Sequence, residues 1–358
     1  MEFDIDTLVR PNIRNMAPYS SARHEFSGEA RVFLDANENA HGAPVLFTDT
    51  KGEPLPLNRY PDPLQMAIKE KLSRIKGVPP QHIFLGNGSD EAIDLLFRIF
   101  CEPGQDNVII FPPTYGMYEV CADMNNVALK KLPLLPNYQL PMETLETAID
   151  EHTKLIFICS PNNPTGNSIL REDIVLLLNN FNGIVVIDEA YINYSRQRTF
   201  IGELTEYPNL VVLQTLSKAW GLAGLRLGMA FSSSNLIGYM NKVKYPYNIS
   251  IATQELVLRA LNNTDQVNDW IKTTVQQRDW LAQALAALPF TIELHPSDAN
   301  FVLVKMTDAV DIYEFLCKRG IIVRDRSKVI LCEDCLRITI GTPAENQELI
   351  QALQQYKA

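Results

Sequence analysis

The chain of 358 residues is 46% hydrophobic and 21% charged, enough apolar material for a large core and, at this length, for two structural domains. Its formal net charge of −10 argues against nucleic acid or an anionic membrane as the main partner, since both carry dense negative charge. No apolar run reaches the roughly 18 residues of a membrane span, and no basic segment followed by an apolar one opens the chain, so a cytoplasmic protein is expected.

Residues 1–44 carry Pro11, Pro18 and Pro44 with little periodicity and are expected to wrap over the fold or reach a partner subunit. Continuous apolar runs follow at 82–85, 107–111, 154–159, 183–187 and 210–213, each bounded by turn residues. Runs rich in Val and Ile without polar alternation predict strands of a parallel sheet buried on both faces. Helical patterns at 90–100, 142–149 and 171–179 lie between them, so the alternation predicts an α/β core. A long polar-faced helix at 265–288 and mixed elements at 301–305, 309–319 and 336–340 predict a smaller α+β domain. The expected division is 45–262 for the large domain, with 1–44 and 263–358 as the arm and small domain.

Ligands of a parallel sheet gather beyond the carboxyl ends of its strands, so the residues after each run are the ones to read. After 82–85 comes Gly86-Asn87-Gly88-Ser89-Asp90-Glu91, a turn opening a helix. It can seat a phosphate on backbone N–H groups, although a plain capped turn has the same pattern. After 154–159 comes Ser160-Pro161-Asn162-Asn163-Pro164-Thr165-Gly166, which can aim an Asn amide into a crevice or serve as a structural turn. Asp188-Glu189-Ala190-Tyr191 places a carboxylate at the end of a buried strand, where it needs a cation or a strong donor. Ser217-Lys218 follows the fifth run. Lys218 taken singly reads as a solvated lysine, but semi-buried at a strand end it would be an activated amine.

Together, a phosphate seat, a carboxylate for a ring nitrogen, a phenol and an amide for a ring oxygen, and an amine match the needs of pyridoxal phosphate. Cys332 and Cys335 form one C-x-x-C pair without a second pair or a His at zinc spacing, so no metal site is expected.

The order and spacing of Ser160 to Gly166, Asp188 to Tyr191 and Ser217 to Arg226 resemble the fold-type I aminotransferases over nearly the whole chain. The resemblance implies an α/β fold with a mostly parallel seven-stranded sheet between helices, pyridoxal 5'-phosphate as cofactor, and a homodimer. It implies Lys218, Asp188 and Tyr191 as catalytic residues, with Lys218 holding the cofactor and Asp188 facing the pyridine nitrogen. Ser89, Asp90, Ser217 and Arg226 would hold its phosphate, Tyr115 would stack on the ring, and Asn163 and Tyr191 would face the ring hydroxyl. Tyr60, in Arg59-Tyr60-Pro61-Asp62, would reach the cofactor of the neighbouring subunit.

Within that class, three stretches are similar to the histidinol-phosphate aminotransferases, which act on histidinol phosphate and 2-oxoglutarate. Tyr19, in Pro18-Tyr19-Ser20, would approach the substrate phosphate, and Arg324 and Arg337 would bind substrate anions. An aromatic aminotransferase, a threonine-phosphate decarboxylase and, more distantly, a cofactor-sensing transcriptional regulator share parts of this pattern. The sequence departs from many relatives at Ala40-His41, where they carry Pro-Tyr, and in a polar insertion at 43–57.

Overall fold

The structure, a computed structural model, describes residues 3–17, 47–49 and 51–357. Its strands are β1 (Ile83–Asn87), β2 (Asn107–Ile110), β3 (Ala128–Lys131), β4 (Thr153–Cys159), β5 (Ile184–Asp188), β6 (Leu210–Thr215), β7 (Leu227–Phe231), β8 (Thr291–Leu294), β9 (Phe301–Met306), β10 (Arg324–Asp325) and β11 (Cys335–Thr339). A seven-stranded sheet has the order β1-β7-β6-β5-β4-β2-β3, and a four-stranded sheet has the order β10-β11-β9-β8. β2 runs parallel to β3 and β4, and β4 runs parallel to β5. β7 is antiparallel to β1 and β6, so the large sheet is mostly parallel.

The chain divides into two compact units, Met1–Glu102 with Ile201–Thr264, and Pro103–Phe200 with Asp265–Ala358. In the first unit, the helix Ser89–Phe100 buries Ile93, Leu96, Phe97 and Phe100, the i, i+3, i+4, i+7 stripe of an amphipathic helix. Helices Ser234–Val243 and Ile251–Ala260 begin where the Ser233 and Ser250 side chains accept backbone N–H bonds from Leu236 and Thr253. The helix Met66–Lys76 ends at Gly77, whose φ of 74° suits glycine.

The second unit holds two cores. β4 and β5 are apolar on both faces, with Leu155, Ile156, Ile184, Val185, Val186 and Ile187 fully covered, as a central parallel strand requires. One face of the four-stranded sheet presents Val302, Val304, Leu336 and Ile338 to Leu281, Leu285, Ile312, Leu316 and Leu353. Its last helix, Pro343–Leu353, starts with a capping box between Thr342 and Glu345.

Two strands of the large sheet escape the apolar-run criterion. β3, Ala-Leu-Lys-Lys, lies at the sheet's end and is partly exposed, where charge is tolerated and useful against edge pairing. β7 is buried throughout but built on Gly228 and Ala230, which lower its apolar signal. No helix among the described residues is long and apolar enough to cross a membrane.

Candidate active site

In the first unit β1 ends at Asn87, and Gly88 (φ 75°, ψ 169°) turns the chain into the helix at Ser89. No side chain caps this helix, so its first-turn N–H groups and the positive end of its dipole are presented at Ser89 and Asp90. A Cβ on Gly88 would stand 2.6 Å from Arg226 Nη2, and one on Gly228 would stand 2.1 Å from the Ser89 backbone nitrogen. Glycine at both places lets β7 close against the turn. The Gly88 N–H donates to the Arg226 carbonyl at 2.9 Å. The half-exposed Arg226 guanidinium lies 3.7 Å from an Asp90 carboxylate oxygen.

β6 delivers the neighbouring group. Thr215 Oγ1 at its end donates to Ser217 Oγ at 2.9 Å and accepts from the Ser217 N–H at 3.0 Å. The Gly221 N–H then closes a turn on the Lys218 carbonyl at 3.0 Å. Lys218 is exposed, which corrects the expectation of a semi-buried amine. Its turn is pinned instead by the buried Leu216, Ala219 and Trp220, so the lysine projects from an anchored tip. Tyr60 is half-exposed and stacks on Tyr247, with ring centroids 4.5 Å apart and planes at 19°.

In the second unit Asp188 ends β5 with only 3% of its surface exposed. Its Oδ2 accepts from the Tyr118 hydroxyl at 2.8 Å, and its Oδ1 accepts from the Ala190 N–H at 3.1 Å. Burial and then the Asp188 charge push the Tyr118 phenol well above its ordinary value, and the same two causes raise the Cys159 thiol. Tyr118 therefore remains a neutral donor to the carboxylate. Its ring stacks on Phe157 at 4.8 Å and meets Tyr115 edge-on at 5.6 Å.

The loop after β4 is stiffened by its own amides. Asn162 Nδ2 donates to the Pro113 carbonyl at 2.8 Å and to Thr165 Oγ1 at 2.7 Å. The next residue, Asn163, instead accepts at Oδ1 from Arg337 Nη1 at 2.5 Å. Arg337 also lies 5.3 Å over the Phe301 ring, against which the buried Tyr191 packs edge-on at 5.2 Å. Burial raises the Tyr191 phenol, and the Arg337 charge opposes that rise. Arg324 on β10 is the register partner of Arg337 on β11.

The first unit thus carries Ser89, Asp90, Ser217, Lys218, Arg226 and Tyr60, and the second carries Tyr115, Asn163, Asp188, Tyr191, Arg324 and Arg337. Tyr19 lies outside the described residues. The donor set of the first unit, an uncapped helix start beside a guanidinium and a serine, fits a phosphate. That of the second, a buried carboxylate already held by two donors, fits a protonated ring nitrogen. Sequence reasoning missed Tyr118. Its only signal was an aromatic three residues after Tyr115, one helical turn on.

The six cysteines are free thiols, and burial pushes Cys332 up to about 11 and Cys335 up to about 12. Among the described residues no group of three or more His, Cys, Asp or Glu is placed to hold a metal.

The chain matches the family described as aminotransferase class I and II over residues 34–353. It is 52% identical over 354 residues to a histidinol-phosphate aminotransferase of Bacteroides fragilis, with 99% of both chains covered. It is 50% identical over 356 residues to that of Cytophaga hutchinsonii, covering 99% of this chain and 100% of the other. Among solved structures, a histidinol-phosphate aminotransferase from Sinorhizobium meliloti in complex with pyridoxal-5'-phosphate superposes with a TM-score of 0.76 at 25% identity, covering 82% of each chain. An L-threonine-O-3-phosphate decarboxylase from Porphyromonas gingivalis, at 24% identity and TM-score 0.71 over 83% of this chain and 90% of that one, shares the fold. The architecture is that of the fold-type I transferases, and the chain belongs to the class I and II aminotransferases.

Proposed function

We propose that this protein is a histidinol-phosphate aminotransferase. It uses pyridoxal 5'-phosphate to exchange an amino group between L-histidinol phosphate and 2-oxoglutarate, giving imidazole acetol phosphate and glutamate. The observation that carries the reading is end-to-end identity of 50–52% with relatives of that name. The pairing of Arg324 with Arg337, neither holding a carboxylate among the described residues, supports it. One substrate brings a phosphate without a carboxylate and the other brings carboxylates without a phosphate, and a shared arginine pair can serve both.

When bound, the cofactor supplies an electron sink for the bond broken at the substrate Cα. Asp188, held by Tyr118 and Ala190, would pair with a protonated ring nitrogen and so favour that electron sink. Asn163 and Tyr191 would hold the cofactor's ring hydroxyl, and Tyr115 would supply an aromatic surface for its ring. Ser89, Asp90, Ser217 and Arg226 would hold its phosphate, through the N–H groups of the helix start, the Ser217 hydroxyl and the Arg226 guanidinium. Lys218 would hold the cofactor through its amine and, with that amine free, would be the base that moves the proton at the substrate Cα. The exposure of Lys218 suits both tasks.

Tyr60 acts on the neighbouring subunit of a homodimer, for which its exposed stack on Tyr247 is suited. Tyr19 approaches the substrate phosphate. The functional division is a cofactor domain at 45–262 and an arm with a small domain at 1–44 and 263–358, in a cytoplasmic enzyme.

A donor panel tests the reading: histidinol phosphate, phenylalanine and tyrosine, each with 2-oxoglutarate, and threonine phosphate monitored for carbon dioxide. Histidinol phosphate should lead in kcat/KM by about 100-fold or more, because a site built for a phosphate rejects donors lacking it. Comparable turnover of tyrosine, or release of carbon dioxide, would overturn it.

A further inference from the structure

We propose that Arg326 is a third substrate-binding arginine and that, with Ser327, it forms the phosphate end of the substrate site, selecting a phosphorylated amino donor over a dicarboxylate. The inference rests on the histidinol-phosphate reading and adds a residue to it. Arg324 is in register with Arg337, and the Arg326 N–H donates to the Cys335 carbonyl at 2.9 Å, two residues before Arg337. Arg326 stands one residue past β10, but its bond to Cys335 carries the same ladder on; alternate residues of an extended chain share a face, which puts Arg326 on the side of Arg324 and Arg337. That side is opposite the one that packs Leu336 and Ile338 into the core.

Among the described residues the cluster is short of negative charge. Arg326 Nε, Arg337 Nε and Ser327 Oγ are buried without a hydrogen-bond partner, and none of the three arginines has a carboxylate within ion-pair reach among the described residues. Asp325, the adjacent acid, turns to its own chain and accepts the Ser327 N–H at 2.8 Å. Burial and then the charges of Arg337 and Arg324 hold the Arg326 guanidinium below its ordinary value. A fold that gathers like charges and leaves buried donors open gives up stability there, a cost that a recurrent anionic ligand would offset.

The ligand chemistry follows from the count of donors. One guanidinium matches one carboxylate with two parallel bonds, and Arg337, tied to Asn163 and set over Phe301, is oriented for that. A phosphate monoester presents three oxygens and up to two charges. It can engage a second guanidinium and a hydroxyl, whereas a dicarboxylate leaves Arg326 and Ser327 unsatisfied.

The test uses the holoenzyme with Arg326→Gln, Arg326→Lys and, as a reference, Arg337→Gln. Each half-reaction is followed separately with histidinol phosphate and with glutamate, and inorganic phosphate is titrated as an inhibitor of the glutamate half-reaction. Arg326→Gln should raise KM for histidinol phosphate about 10- to 100-fold, the range of one charge-assisted contact. It should weaken phosphate inhibition about tenfold and change KM for glutamate less than about threefold. Arg326→Lys should recover part of the loss, and Arg337→Gln should impair both substrates. Without ligand, Arg326→Gln should melt at the wild-type temperature or about 1–3 °C above it, because a repelling charge is gone.

Equal losses for both substrates, no loss for either, or a lower melting temperature with unchanged phosphate inhibition would overturn the assignment. If the wild-type enzyme does not use histidinol phosphate, the functional reading fails instead. The phosphate titration then still decides whether Arg326 binds phosphate.

Discussion

Replacing Tyr118 with Phe removes one oxygen from a fully buried site and leaves the ring packing in place. The hydroxyl donates to Asp188 Oδ2 at 2.8 Å, and the stack on Phe157 at 4.8 Å does not depend on it. A hydrogen bond to a charged group is worth about 1.5–3 kcal/mol, and with Asp188 only 3% exposed water cannot readily replace it. The variant should therefore lose about 1.5–3 kcal/mol in urea unfolding near pH 7. A cycle with Asp188→Asn should show coupling of at least about 1 kcal/mol.

The pH dependence has a definite sign. The folded-state phenol is raised above the ordinary tyrosine value of 10.0, so the folded chain holds that proton where the unfolded chain releases it. Stability from this group is complete below pH 10 and falls as pH rises beyond it, and Tyr118→Phe should flatten that alkaline limb. A variant within about 0.5 kcal/mol of wild type that keeps the full alkaline limb would refute the role given to Tyr118.

Gly228→Ala places a Cβ 2.1 Å from the Ser89 nitrogen and 2.2 Å from the Gly88 carbonyl carbon, both backbone atoms. It should cost about 3 kcal/mol or more, seen as a lower melting temperature of the apoenzyme, and a melt within 1 °C of wild type would contradict the close approach of β7 to the turn (both magnitudes about those of strained repacking). Lys218→Ala should leave the purified, dialysed protein without the yellow colour of bound cofactor. Retained colour would remove Lys218 from its proposed role.

Much of the frame was legible along the chain. The runs at 107–111, 154–159, 183–187 and 210–213 coincide with β2, β4, β5 and β6, because a strand covered on both faces must be apolar at nearly every position. The positions of Asp188, Asn163, Ser89 and Lys218 at or just beyond strand ends were legible, because strand ends can be located from local pattern. β3 and β7 were not, since one mixes lysines into its sequence and the other is held by glycine contacts with a turn distant in the chain.

The order of residue types therefore determined the α/β class, the strand ends and the residue types found there, all consequences of hydrophobic period and turn chemistry within short windows. Only the tertiary structure decided that Tyr118 holds the Asp188 carboxylate, that Lys218 stands exposed on an anchored turn, and that Arg324 lies in register with Arg337 across β10 and β11. Burial and cross-strand register set these relations, and both depend on which distant segments pack together.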